Sequence, residues 1–120
     1  MIEVISRRVN RQRRVGLPLS LAKRSGIEPR HWVTVYPAET QRWTLLVCPV
    51  DAPVDRAAIR DPDRPRRVTA VMQVTVPRPW MDLVELKPDQ WVFLTSLGPG
   101  QGLSIVPQAK VRSQEVGVDG

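Results

Sequence analysis

The sequence predicts a mainly β protein with short helices, made of two tandem repeats packed as a pseudo-two-fold barrel or sandwich. Three observations carry that expectation. The chain has 120 residues, 42% of them hydrophobic, which suits one core rather than two full domains of ~100–200 residues each. A shift of 59 residues lays 7–35 on 66–94 without a gap. Each copy carries the same order of β-prone runs around one short, proline-bounded helical turn.

The repeat rests on eight identities. They are Arg7, Arg8, Val9, Val15, Pro18, Pro29, Trp32 and Val33, each with its partner 59 residues on. Leu17/Val76, Leu21/Trp80, Ile27/Leu86 and Val35/Leu94 keep their apolar character, and a one-residue gap continues the match from 45–49 onto 103–107. Each copy opens on a β-prone stretch, Val9 to Leu17 or Val68 to Val76, the second alternating in polarity. A proline and a helical turn follow. The first turn, 20–25, is stopped by Gly26, a natural residue past a helix end. The second, 79–84, tolerates Pro79 in its first turn. Pro-led turns at 28–31 and 87–90 lead into paired strands, Trp32–Tyr36 with Trp43–Cys48 and Trp91–Ser96 with Leu103–Val106. Their tips, 37–40 and 97–102, are rich in turn formers.

The organisation expected is a basic repeat over 1–49, a Pro- and charge-rich linker over 50–65, a second repeat over 66–107 and a tail over 108–120. One helical turn is expected in the linker at Asp55–Ile59. A copy of ~45 residues is too small to bury a good core alone, so the copies should pack together.

Several classes are disfavoured. No run approaches the ~20 apolar residues of a membrane-spanning helix. The start, MIEVISRRVN, carries Glu3 inside a short apolar stretch and does not read as a signal peptide. A cytoplasmic, nucleoid-associated protein is expected. Cys48 is the single cysteine and His31 the single histidine, so neither a disulfide nor a metal site is expected. Gly98-Pro99-Gly100-Gln101-Gly102 lacks the Lys-Ser/Thr of a phosphate loop. No acid–base constellation is visible, so no catalytic residue, no cofactor and no enzymatic activity are expected. Cys48 reads as a small core residue and His31 as part of a turn. Trp32 and Trp91, at equivalent repeat positions, read as core or seam residues. Trp80 reads as exposed and is the candidate for a protein-partner interface.

Charge is the positive clue. The chain carries +6, and fifteen of its eighteen basic residues are Arg. That excess favours polyanions, and Arg forks phosphates and guanine edges bidentately. The excess is uneven: +6 over 1–49, +1 over 50–67 and −1 over 68–120. Arg7, Arg8, Arg11, Arg13 and Arg14 fall within eight positions, where self-repulsion costs stability unless an anion relieves it. Arg66 and Arg67 close the linker as a smaller addition.

The run Arg7-Arg8-Val9-Asn10, then Arg13-Arg14-Val15-Gly16-Leu17-Pro18, then Leu21-Ala22-Lys23-Arg24-Ser25-Gly26-Ile27-Glu28-Pro29, and finally Leu45-Leu46-Val47-Cys48-Pro49, resembles the AbrB/SpoVT/MazE-type looped-hairpin (swapped-hairpin) DNA-binding family. The stretch from Arg66 to Pro107 follows the same outline more loosely, which resembles the tandem two-repeat arrangement of MraZ-like members. The resemblance implies two tandem swapped-hairpin repeats interlocked into one pseudo-two-fold β-barrel. It also implies contact with double-stranded DNA through Arg7, Arg8, Arg11, Arg13, Arg14, Lys23 and Arg24. Three departures stand out. The family's glycine before the Arg is Arg13 here, and its Gly-Asp turn is Arg30-His31 in copy one and Asp89-Gln90 in copy two. Copy two also lacks the basic loop, with Ala70, Met72 and Gln73 facing Arg11, Arg13 and Arg14, and Asp82-Leu83 facing Lys23-Arg24.

The function expected is a sequence-preferring, DNA-binding transcriptional regulator that uses the basic first repeat and self-associates to a dimer on a two-fold site. The alternative is an antitoxin-like or mobile-element/phage protein that binds a protein partner through the neutral second repeat.

Overall fold

Short side chains that bond their own backbone shape the start of each copy. The computed structural model describes residues 3–51, 60 and 62–111. Strand β1 (Val4–Arg8) runs into a tight turn where Asn10 Oδ1 accepts hydrogen bonds from the Gln12 and Arg14 amides, both at 2.9 Å. Arg13 takes φ 63 to complete the reversal, and β2 (Arg14–Gly16) follows. In the second half, β5 (Arg66–Arg67) leads to a turn in which Thr69 Oγ1 accepts from the Gln73 amide at 2.9 Å and Met72 takes φ 61. Strand β6 (Gln73–Thr75) follows. The β-prone stretches Val9–Leu17 and Val68–Val76 are therefore each a turn plus a three-residue strand. Asn and Thr offer the backbone an alternative to the ladder, and the chain takes it.

Helices α1 (Leu19–Arg24) and α2 (Arg78–Leu83) start directly after Pro18 and Pro77, whose φ of −58 and −59 is set by the ring. Both are six residues long. Gly26 leaves α1 at φ 80 and Glu85 leaves α2 at φ 57, so the glycine stop and its non-glycine counterpart share one conformation. The hairpins close each half: β3 (Trp32–Pro37) with β4 (Leu45–Val50), and β7 (Trp91–Ser96) with β8 (Leu103–Pro107). Residues 108–111 are helical. The helical turn expected at Asp55–Ile59 lies outside the described residues.

The strands make a six-stranded sheet in the order β1-β7-β8-β4-β3-β5 and a separate two-stranded ribbon, β2-β6. The sheet is open, which corrects the expected closed barrel. β5 offers two residues, paired to Trp32 and Val33, while β1 lies at the far edge on β7. The two edges do not meet, because β2 and β6 pair with each other instead of closing the sheet.

Pairing crosses between the halves. Arg8 opposes Trp91 and Trp32 opposes Arg67, and these two pairs interconvert under the 59-residue shift. Val15 opposes Val74, its own counterpart. In the sheet, Leu46 opposes Ser104, its counterpart across the one-residue gap. The core is correspondingly shared. Val9 and Val68, Val15 and Val74, Ile27 and Leu86, Val33 and Val92, and Leu45 and Leu103 are all buried. Where copy one fills its helix position with Leu21 and Ala22, copy two uses Trp80 and Met81.

Of the two places expected for Trp32 and Trp91, they take the seam between the halves and not the core: Trp91 is 44% exposed and Trp32 is half-buried. The reason is register: each stands at the first residue of its strand, opposite an arginine of the other half's leading strand. Trp80, expected exposed, is half-buried against the core, and its indole N–H is buried with no hydrogen-bond acceptor among the described residues. No helix among the described residues is long and apolar enough to cross a membrane.

Candidate nucleic-acid interface

The β2-β6 ribbon sorts its side chains by alternation. Val15 and Val74 point into the core, so Arg14, Gly16, Gln73 and Thr75 stand on the other face. Across the ribbon, Arg14 is directly opposite Thr75 and Gly16 is directly opposite Gln73. A Cβ added to Gly16 would meet nothing within 4 Å, so the face is open at that point; Arg14 is exposed and Gln73 and Thr75 are half-buried.

One end of the ribbon gathers arginines from both halves. The Val76 amide donates to the Arg13 carbonyl at 2.8 Å, which brings the start of α2 beside the 10–13 turn. Arg11, Arg13 and Arg78 then line a cavity of about 560 Å³ with Gln12, Met81, Asp82 and Pro88. Arg11 reaches Asp89 Oδ2 at 3.4 Å, with its side chain 90% exposed; such a pair holds its partners weakly. Arg13, Arg14 and Arg78 make no ion pair among the described residues. Arg7 and Arg8 approach the same end along β1. Arg8 lies 5.2 Å from the Trp91 ring centroid, a cation–π distance, and Arg7 is exposed.

Lys23, Arg24, Arg66 and Arg67 belong elsewhere. The Leu17 amide donates to the Met72 carbonyl at 2.7 Å, so α1 starts from the opposite end of the ribbon. Lys23 is the counterpart of Asp82 and is exposed there, while Arg24 sits 3.8 Å from Glu3. Arg66 is half-buried on β5. Arg67 Nε donates to the Arg30 carbonyl at 2.9 Å, and both residues line a shallow pocket with Val68, Thr69 and Ala70. The basic residues picked from sequence thus divide between the two ends of the ribbon.

Arg78 was missed by sequence reasoning. It lies in the half with no charge excess, and only cross-half pairing brings it to the Arg13 turn. The signal available was the repeat itself: Arg78 is the counterpart of Leu19, so its charge is a local departure from the repeat.

Among the described residues the remaining reactive side chains form no larger site. His31 Nδ1 is 3.1 Å from Glu28 Oε2, closing the Pro29 turn. Cys48, expected in the core, is half-buried; its Sγ is 3.2 Å from Tyr36 Oη and 3.7 Å from the Gln101 carbonyl. The strand alternation there places Val47 inside and Cys48 outside. That contact, chiefly its hydrogen bond, with burial second, raises the Tyr36 pKa above its usual 10.0. Among the described residues no three His, Cys, Asp or Glu side chains gather as metal ligands would.

The molecule is thus a mainly β fold with short helices that presents an open ribbon between basic ends. No family model, no curated protein and no solved structure matches the chain.

Proposed function

We propose that the chain is a sequence-preferring, double-stranded-DNA-binding regulator of the AbrB/SpoVT type, acting without catalysis. In this reading the two halves are interlocked swapped-hairpin units related by a pseudo-two-fold through the Val15/Val74 and Leu46/Ser104 pairs. The ribbon faces the duplex, and the basic ends hold phosphates on either side.

One observation carries the reading. Arg11, Arg13 and Arg78 line one cavity at a ribbon end with Asp82, Arg14 stands on the adjoining strand, and Arg13, Arg14 and Arg78 make no ion pair among the described residues. Arg11, Arg13, Arg14 and Arg78, against the two carboxylates of Asp82 and Asp89, leave this end with a cationic excess, and a polyanion relieves the repulsion such an excess brings. A two-stranded β-ribbon also fits the major groove in width.

The test is fluorescence anisotropy on a labelled random-sequence duplex across a salt series, with the wild type and Arg13→Ala/Arg14→Ala. Affinity should fall steeply with salt, and the double variant should weaken binding and lower the log–log slope by about 1 for each of the two arginines that holds a phosphate. Folded protein that binds no duplex even at low salt overturns the reading.

A further inference from the structure

From the two ends of the ribbon we infer that one chain reads an asymmetric duplex site. Arg14 takes a guanine, and its counterpart Gln73 takes the adenine of an A·T pair whose thymine methyl meets Val71. The inference rests on the DNA-binding reading above and names the ligand of that same face.

The argument starts from equivalence. Arg14 and Gln73 are repeat partners on one open face, each diagonal to the other across the Gly16–Gln73 and Arg14–Thr75 pairs. Diagonal neighbours on a ribbon stand about 7–8 Å apart, close to two base-pair steps of ~3.4 Å each. Both side chains point from the same strand face, so both reach one groove. Neither makes a side-chain hydrogen bond among the described residues. Gly16 has no side chain to stand between Gln73 and a base edge, and the space above it is empty to 4 Å.

The chemistry of the two positions differs. Arg matches the O6/N7 acceptors of guanine, and Gln matches the N6/N7 donor–acceptor pair of adenine. The adjoining turns differ in the same sense. Beside Arg14 the turn carries Arg11, Gln12 and Arg13, whereas beside Gln73 it carries Ala70, Val71 and Met72. Val71 is 73% exposed at that turn, and an exposed aliphatic group beside an adenine reader suits a thymine methyl. Anchors remain on both sides, Arg11 and Arg78 at one end, Arg30 and Arg67 at the other. One chain therefore holds both halves of the site while reading a different base in each. A symmetric pair of arginines would require a palindrome; Arg14 with Gln73 does not.

Selection from a duplex library with a randomised centre reads this directly, followed by anisotropy on the selected duplex and its single-position variants. The enriched site should lack dyad symmetry, with a G·C pair and an A·T pair about two steps apart, bound by one chain. Arg14→Ala should abolish discrimination at the G·C position alone, and Gln73→Ala at the A·T position alone, each a loss of about ten-fold or more. Gln73→Arg should convert the A·T preference to G·C and move the selected site toward a palindrome. A palindromic site for the wild type, or an A·T preference that survives Gln73→Ala, overturns the inference. Salt-dependent binding with no enriched sequence also overturns it and leaves the DNA-binding reading standing. Absence of binding by folded protein removes both.

Discussion

At Arg13 the backbone and the side chain serve different ends. A left-handed φ of 63 costs an L-residue about 1–2 kcal/mol relative to glycine's freedom, as it does at Met72 and Glu85, while the Arg13 side chain lines the cavity with Arg78. Arg13→Gly should therefore raise the urea midpoint while weakening duplex binding. A variant both less stable and fully active would show that the turn needs the side chain for packing. Arg13 was legible in sequence as an arginine where the looped-hairpin pattern that the chain resembles has glycine; its conformation was not, because φ follows from the Asn10 bonds around it. A second residue-scale prediction concerns Tyr36, the only tyrosine. Its pKa is raised above 10.0, first by the hydrogen bond with Cys48 and next by burial. A raised folded-state value means the contact's stability is fully present below pH ~10 and is lost as pH rises through the folded pKa. Phenolate absorbance should rise at higher pH in the folded chain than in urea, and Cys48→Ala should move that rise down toward pH ~10. An unchanged titration in the variant would sink the assignment.

The elements divide by whether their cause is local. Both helices, both hairpins and the left-handed exit at Gly26 were legible because Pro and Gly act on their own turn of chain. Strand β1 and the break in Val9–Leu17 were not. β1 exists because β7, far along the chain, offers it a ladder, and the break exists because Asn10 out-competes that ladder locally. The ribbon is the element whose use is testable by itself. Gly16 carries no positive φ and faces open space, so Gly16→Glu should leave stability within about 1 kcal/mol. The new carboxylate would stand beside Arg14 on the same face and repel phosphate. Duplex affinity should drop about ten-fold or more at low salt, since it both masks a cation and blocks the Gln73 approach. Unchanged affinity with intact circular dichroism would place the DNA on another face. Gly102 marks the opposite case: at φ 88 a Cβ there would run into the Val47 carbonyl oxygen, so its glycine is structural.

For the whole molecule, the repeat foretold a shared core but not the way it is shared. Counterparts such as Val33 and Val92 are buried together, as expected of two undersized units. What sequence left open was which strand pairs with which. Among the described residues four of the six strand pairings cross between the halves, and that crossing carries Arg78 to Arg13. It also decides how the chain unfolds. If β1, β2, β4 and β3 each need a partner from the other half, neither half retains a core alone. Chemical unfolding should then be a single transition. Tryptophan fluorescence, with Trp32 and Trp43 in one half and Trp80 and Trp91 in the other, should coincide with far-ultraviolet circular dichroism. Leu45→Ala probes the seam. Leu45 is fully buried on β4 opposite Ile105 of β8, and truncating such a side chain costs about 2–5 kcal/mol. Against a total of about 5–15 kcal/mol, that is a large shift of the urea midpoint. The whole curve should move, both probes together, because the lost contacts belong to both halves at once. A variant in which one probe moves and the other stays would mean that the halves fold separately, and the convergence of Arg78 on Arg13 would lose the scaffold that holds it.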